Sequence, residues 1–300
     1  MHTDSPTYRG RFAPSPTGPL HLGSLIAALA SYLDARHHGG AWLVRMEDLD
    51  PPREEPGAAA AILHSLQAHG LVADEPPLFQ GRRAAAYAAA LRRLEAAGHL
   101  FRCDCSRAAL GPDGACRGGC RERQHSLGAP ASVRVQVPAQ CHVQFQDALQ
   151  GAQQCHLGAA FPDFVLRRKD GLDAYQLAVV VDDCAQGITH VVRGSDLLDS
   201  TPRQVFLQGL LDCPTPAYCH LPVITNRHGQ KFSKQNQAPP LDDAAAVANL
   251  RLALRFLGQP EPAAGLDQPS QLLASAVQHW DLARIAAVRA IPAHALGLDG

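Results

Sequence analysis

The stretch Arg11-Phe12-Ala13-Pro14-Ser15-Pro16-Thr17-Gly18-Pro19-Leu20-His21-Leu22-Gly23-Ser24 constrains the fold of this chain more than any other. A short strand ends near Arg11–Phe12 and a Pro/Gly-rich loop stiffens Ala13–Pro19. Leu22, Leu25, Ile26, Leu29 and Leu33 then recur at helical spacing until Gly39–Gly40 stops them. The segment therefore reads as strand, rigid loop and helix start, with His21 at the mouth. A helix N-terminus offers unpaired N–H groups and the positive end of a dipole, which suits phosphate. Gly23 lets a flat ring or a phosphate approach the backbone. His21 is then placed to donate to an α-phosphate as charge builds during loss of pyrophosphate. Taken alone, a His-x-Gly at a helix start is usually only a turn.

Strand and helix continue to alternate beyond this first pair. Ala41–Glu47 reads as a buried strand, and helical patterns cover Gly57–His69 and Arg82–Ala97, the second closed by Gly98. Such alternation argues for α/β architecture with a parallel sheet. From Phe101 to about Pro162 the pattern changes to clustered Cys, Gly and Arg, then Val133, Val135 and Val137 alternate as in an exposed strand. This reads as an insertion with its own fold. The α/β pattern returns after Phe164, with a strand at Ile188–Arg193, a helix with Thr201 as N-cap and Pro202 in its first turn, and a strand near Tyr218–Ile224. Leu177–Val181 fits either strand or helix. Helices are expected at about Asp242–Leu257 and Ser270–Trp280.

The second chemical element is Lys231-Phe232-Ser233-Lys234-Gln235, in a polar loop after the last of these strands. Two lysines flanking a serine make a mobile cationic clamp for β- and γ-phosphates. A lone Lys-x-Ser-Lys is usually a solvated loop. Paired with His21–Gly23 in this order, it places a nucleotide across two halves of one sheet.

His21-Leu22-Gly23-Ser24 resembles the His-Ile-Gly-His signature of class I aminoacyl-tRNA synthetases, and Lys231–Gln235 resembles their Lys-Met-Ser-Lys-Ser loop. Arg11–Gly23, Arg45-Met46-Glu47-Asp48-Leu49-Asp50 and Ile188–Asp196 are similar to the glutamyl and glutaminyl branch, and the likeness spans roughly residues 8–240. Gln235 stands where that loop ends in serine. The resemblance implies a Rossmann-like nucleotide-binding fold with a zinc-containing insertion and a short helical C-terminal tail. It divides the chain into a catalytic body (1–100 and 163–240), the insertion (101–162) and the tail (241–300). ATP with Mg²⁺ and L-glutamate are the implied substrates. His21 and Lys234 are the implied catalytic residues, and Gly23, Lys231 and Ser233 join them at ATP. Arg11, Ala13, Ser15, Glu47, Tyr175 and Arg193 are implied at glutamate.

Glutamate carries two carboxylates and an ammonium, so a selective site needs cations and an acid. Arg11, Arg193 and Glu47 supply them, each at a strand end. A glutamine amide would leave a buried arginine partly unpaired, at a cost of roughly 1–3 kcal/mol or more. The competing reading makes Arg193 and Glu47 a structural ion pair.

Cys103-x-Cys105, ten intervening residues and Cys116-x-x-x-Cys120 form a quartet suited to tetrahedral Zn²⁺. Four protein ligands leave no open position, so the site is expected to be structural, one ion per chain; free thiols in a loop are the alternative. Cys116 is the position most open to replacement, with His125 as a substitute ligand. Arg102, Arg107, Arg117, Arg121 and Arg123 flank the quartet, some to offset its charge and others to meet RNA phosphate.

With 27 basic and 28 acidic residues, no global positive field advertises nucleic acid. The cysteines number nine, and five are unpatterned, which argues against a secreted disulfide framework. Met1–Gly10 lacks the apolar core of a signal peptide. A cytoplasmic monomer without membrane attachment is expected. After Gln235 only 65 residues remain, too few for a large anticodon-reading domain. The resemblance accordingly extends to a stand-alone branch of the family that transfers glutamate to the cyclopentenediol of queuosine in the anticodon loop of tRNA(Asp). A truncated glutamyl-tRNA synthetase charging tRNA(Glu), and a non-catalytic zinc-bearing RNA-binding module, are the alternatives.

Overall fold

The structure, a computed structural model, describes residues 8–111, 113–123, 130–226, 229–230 and 239–297. Strand β1 (Arg9–Phe12) leads through the proline loop into helix α1 (Leu22–His37), which buries Leu25, Leu29 and Leu33 completely. Strand β2 (Ala41–Met46) returns parallel to β1, with Arg11 beside Leu43. Helix α2 (Ala58–Ala68), the two-residue strand β3 (Leu78–Phe79) and helix α3 (Ala84–Ala96) complete a parallel sheet in the order β1-β2-β3. Parallel strands need such crossovers, and helices supply them.

Next come β4 (Leu100–Cys103), β5 (Ser132–Gln136), β6 (Val143–Asp147), β7 (Gly151–Cys155), the single turn α4 (Leu157–Ala160) and β8 (Asp163–Arg167). Helix α5 (Tyr175–Ala185), strand β9 (His190–Gly194), helix α6 (Thr201–Leu210) and strands β10 (Ala217–Leu221) and β11 (Val223–Thr225) follow. Helices α7 (Ala246–Phe256) and α8 (Pro269–Gln278) pack against α1, and β12 (Ala290–Pro292) pairs with β11. Strands β4 and β8 flank β5, both antiparallel to it. The β6–β7 hairpin joins a different sheet, in the order β7-β6-β10-β9. Residues 101–162 thus feed two sheets, and Val135, Val137 and Leu157 share one apolar cluster with Leu177 and Leu207. The strand over 133–137 is therefore not an exposed one: Val135 and Val137 are buried in this cluster, Val133 packs half-buried against it, and Gln136 is exposed.

The parallel halves meet at β1 and β9, where the Thr189 N–H donates to the Arg9 carbonyl at 3.0 Å. Leu177–Val181 is helical, because a helix aims Asp182 and Asp183 together at buried partners on α3, β1 and β2. Thr201 is not a cap but the first residue of α6; its hydroxyl donates to the Leu197 carbonyl at 3.2 Å instead. The strand expected over Tyr218–Ile224 breaks at Pro222, which has no N–H for a ladder. Among the described residues no helix is long and apolar enough to cross a membrane.

Candidate active site

A cavity of about 570 Å³ opens where β1, β2 and β9 end beside the start of α1. Parallel β1 and β2 finish on the same side of their sheet and β9 lies beside β1, so Arg11, Glu47 and Arg193 arrive together although far apart in the chain. Ala13, Ser15 and Tyr175 line the same cavity, as do His21 and Gly23. The loop is tied down where the Glu47 N–H donates to the Pro14 carbonyl at 2.9 Å. Lys231, Ser233 and Lys234 lie outside the described residues, as does His125.

His21 is the N-cap of α1, its Nδ1 accepting from the Ser24 N–H at 3.3 Å. A β-carbon on Gly23 would stand 3.1 Å from His21 Cε1 and 3.3 Å from Ile224 Cγ2. A side chain here would crowd His21 and Ile224 at the mouth of the cavity. Across from it, Val192, Leu221 and Ile224 form an apolar wall.

The two arginines differ in electrostatic state. Arg11 spans both oxygens of Asp183, Nε at 3.1 Å and Nη2 at 3.4 Å, so a protein carboxylate already compensates its charge. Asp183 also takes Arg45 Nη1 at 2.8 Å. Burial opposes its ionisation, but Arg11 and Arg45 overcome this and hold its carboxyl below the usual range. Arg193 has a different set of neighbours: His220 Nε2 at 3.0 Å, Thr201 Oγ1 and Gln204 Oε1 each at 2.8 Å, and the Tyr175 hydroxyl at 3.4 Å. Among the described residues no carboxylate pairs with it, so Arg193 and Glu47 are not an ion pair. Glu47 pairs instead with Arg45 Nη2 at 3.7 Å. Burial pushes the Glu47 carboxyl up to about 7, against the pull of Arg45, Arg11 and Arg193. Among the described residues the cavity thus brings together a buried cation without a paired anion and an acid that burial lifts to about 7.

The polar groups behind this arrangement (Arg45, Asp183, Asp147 and His220) are fully or almost fully buried. In the sequence Arg45 stands out only as part of a motif, and the other three do not stand out at all. The available signal was a charged or imidazole side chain inside an otherwise apolar strand or helix, such as Arg45 in Ala41–Met46.

Away from the cavity, Cys103, Cys105, Cys116 and Cys120 place their sulfurs within 4.8 Å of one another. Cys105 Sγ lies 3.8 Å from Cys116 and 3.5 Å from Cys120. A tetrahedron with metal–sulfur bonds of about 2.3 Å has edges of about 3.8 Å, close to the two separations from Cys105, so the four thiols could hold a metal ion. Arg123 donates to Cys120 Sγ at 3.6 Å, as expected of an arginine offsetting thiolate charge.

The family model described as tRNA synthetases class I (E and Q), catalytic domain, matches residues 7–112 and 111–245. A relative from Neisseria meningitidis serogroup B named glutamyl-Q tRNA(Asp) synthetase is 51% identical over 93% of this chain and 97% of its own. One of the same name from Pseudomonas fluorescens is 51% identical over 96% of this chain and 97% of its own. Among solved structures, a glutamate tRNA ligase from Elizabethkingia meningosepticum in complex with its amino acid superposes with a TM-score of 0.78 at 25% identity. That match covers 95% of this chain, which spans about two thirds (66%) of the solved one. Sequence, fold and the geometry of the cavity agree, and the chain belongs to the class I tRNA synthetases of the E and Q group, whose catalytic domain it carries.

Proposed function

We propose that this protein activates L-glutamate with ATP, without tRNA, and transfers the glutamyl group to the cyclopentenediol of queuosine in the anticodon loop of tRNA(Asp). The observation that carries the first step is the convergence of Arg193, Arg11, Glu47 and the His21-bearing start of α1 on one cavity. The acceptor is inferred from the relatives named glutamyl-Q tRNA(Asp) synthetase, whose length the chain matches nearly throughout.

The α-carboxylate of glutamate must face the nucleotide to react. That leaves the side-chain carboxylate for Arg193, with Arg11 beside it already held by Asp183, and the ammonium for Glu47. The charged Nη1 edge that Arg193 keeps toward the cavity pairs more strongly with a carboxylate than with a neutral amide. In this reading adenine lies on the wall formed by Val192, Leu221 and Ile224, and the α-phosphate sits at the start of α1. A carboxylate oxygen attacks the α-phosphorus and pyrophosphate leaves, with His21 donating to the phosphate as charge builds. Lys231 and Lys234, flanking Ser233, take the outer phosphates, which arrive with Mg²⁺. In the second step the acceptor hydroxyl attacks the glutamyl carbonyl carbon and AMP leaves, giving an ester.

The surrounding body is read as Rossmann-like in two halves, 1–100 and 163–240, with 241–300 as a helical tail. Residues 101–162 are read as the insertion carrying one structural Zn²⁺ on Cys103, Cys105, Cys116 and Cys120. A monomer in a reducing cytoplasm fits the free thiols.

The test is glutamate-dependent ATP–pyrophosphate exchange without tRNA, followed by transfer of labelled glutamate to queuosine-bearing tRNA(Asp) and to tRNA(Glu). Exchange followed by labelling of tRNA(Asp) alone is expected. Exchange that required tRNA(Glu) would point to a conventional charging enzyme, and no exchange to a non-catalytic module.

Glu47 should make the reaction pH-dependent. Only the carboxylate form attracts an ammonium, and burial lifts this group to about 7. The KM for glutamate is therefore expected to rise as pH falls through 7, approaching about tenfold per unit on the acid side, and to level off above about pH 8. Glu47→Gln should raise KM and flatten this profile. A KM that is already flat in the unsubstituted protein between pH 6 and 8 would exclude Glu47 as the ammonium partner.

A further inference from the structure

We propose that Asp147 and His220 are positioning residues that keep Arg193 a cation uncompensated by any paired anion and orient it for a substrate carboxylate. The inference rests on the glutamate-activating reading above and deepens it.

Arg193 sits 5% exposed at the back of the cavity. A carboxylate placed directly behind it would stabilise the charge but also neutralise it, as Asp183 does for Arg11. Such an anion would compete with substrate for the guanidinium donors. The structure places an imidazole there instead. Arg193 Nε donates to His220 Nε2 at 3.0 Å, and a guanidinium cannot accept. His220 Nε2 must therefore carry a lone pair, so the proton of the neutral ring resides on Nδ1. That nitrogen faces Asp147 Oδ2 at 2.5 Å. Burial, together with the charge of Arg193, depresses the imidazole below its ordinary value despite the pull of Asp147, which keeps the ring neutral.

Asp147 is itself fixed. Its Oδ1 accepts from the N–H groups of Leu149 at 3.0 Å, Gln150 at 2.8 Å and His220 at 3.2 Å. It stands at the point where β6 meets β10, opposite Tyr218. The anion is thus held one ring away from the guanidinium: it fixes the tautomer without contacting Arg193. With Nε held by His220 and Nη2 by Thr201 and Gln204, the Nη1 edge is presented toward Tyr175 at the cavity.

The test measures exchange kinetics in the full-length protein for His220→Leu, His220→Gln and Asp147→Asn. His220→Leu removes the acceptor. It should raise the KM for glutamate about 30- to 100-fold, leave the KM for ATP within about twofold, and reduce discrimination against glutamine. His220→Gln, whose Oε1 reaches the place of Nε2, should recover most of the loss. Asp147→Asn frees the tautomer and should raise the glutamate KM about tenfold, providing the same readout should the leucine variant not fold. Equal changes in both KM values, or a glutamine variant as impaired as the leucine one, would overturn the proposal. Absence of exchange in the unsubstituted protein would instead remove the functional reading beneath it.

Discussion

Replacing Arg193 with alanine is expected to abolish glutamate-dependent ATP–pyrophosphate exchange, lowering kcat/KM by about 10³-fold or more. Truncating one partner of a buried charge pair costs about 3–5 kcal/mol, and each 1.4 kcal/mol is a factor of about ten. The buried Arg193 has no paired anion among the described residues; in the proposed reading the substrate carboxylate supplies the missing charge, and the substitution removes its partner. The fold should survive, because the groups left behind have other partners. Thr201 still donates to Leu197, Gln204 to Gln176 at 3.1 Å, and His220 to Asp147. A stability loss of about 1–3 kcal/mol is expected from the deleted donors. Arg193→Lys keeps the charge but loses the rigid fork, and should still fall by about 10²-fold. Exchange kinetics beside a thermal melt check both points. Unchanged exchange in the alanine variant would take Arg193 out of the site.

The second large effect concerns the four thiols. Stripping metal with a strong chelator, or Cys105→Ser, is expected to release about one equivalent of zinc and to unfold the segment around residues 101–123. Structural zinc contributes apparent binding energies of about 10–16 kcal/mol that serve as folding energy. Its own apolar cluster is small, buried Phe101, Cys103 and Cys120 with Cys105, Leu110 and Cys116 partly buried around them, so the metal adds to the β4–β5 pairing and to the hydrogen bonds that reach the segment from Asp163 and Lys169. Metal analysis with amide hydrogen exchange measures both outcomes. Glutamate-dependent exchange should persist better than fold order here, because the cavity is built from other strands. Stoichiometric zinc loss with protection unchanged would show that the ion staples nothing.

Much of the site was legible because its chemistry is local. The loop Arg11–Gly23 carries its own instruction: prolines stiffen it, His21 caps α1 and Gly23 leaves space that a β-carbon would crowd. The cysteine spacing likewise confines four sulfurs to a short stretch of chain. The helical periods of α1, α2, α3, α7 and α8 were readable for the same reason, since each buries one face along consecutive turns.

The groups behind the site were not legible locally. Asp183 holds Arg11 and Arg45 across three elements, and Asp147 reaches His220 from a strand 73 positions earlier in the chain. The same long-range contacts made α5 a helix despite its valine run, turned Thr201 from a cap into a partner of Arg193, and joined the 143–155 hairpin to the sheet of β9 and β10. The sequence by itself determined which side chains can carry charge and where the strongly periodic helices lie. Tertiary structure alone decided which charges are compensated, because the energy of a buried ion depends on the few ångströms around it and not on its neighbours along the chain.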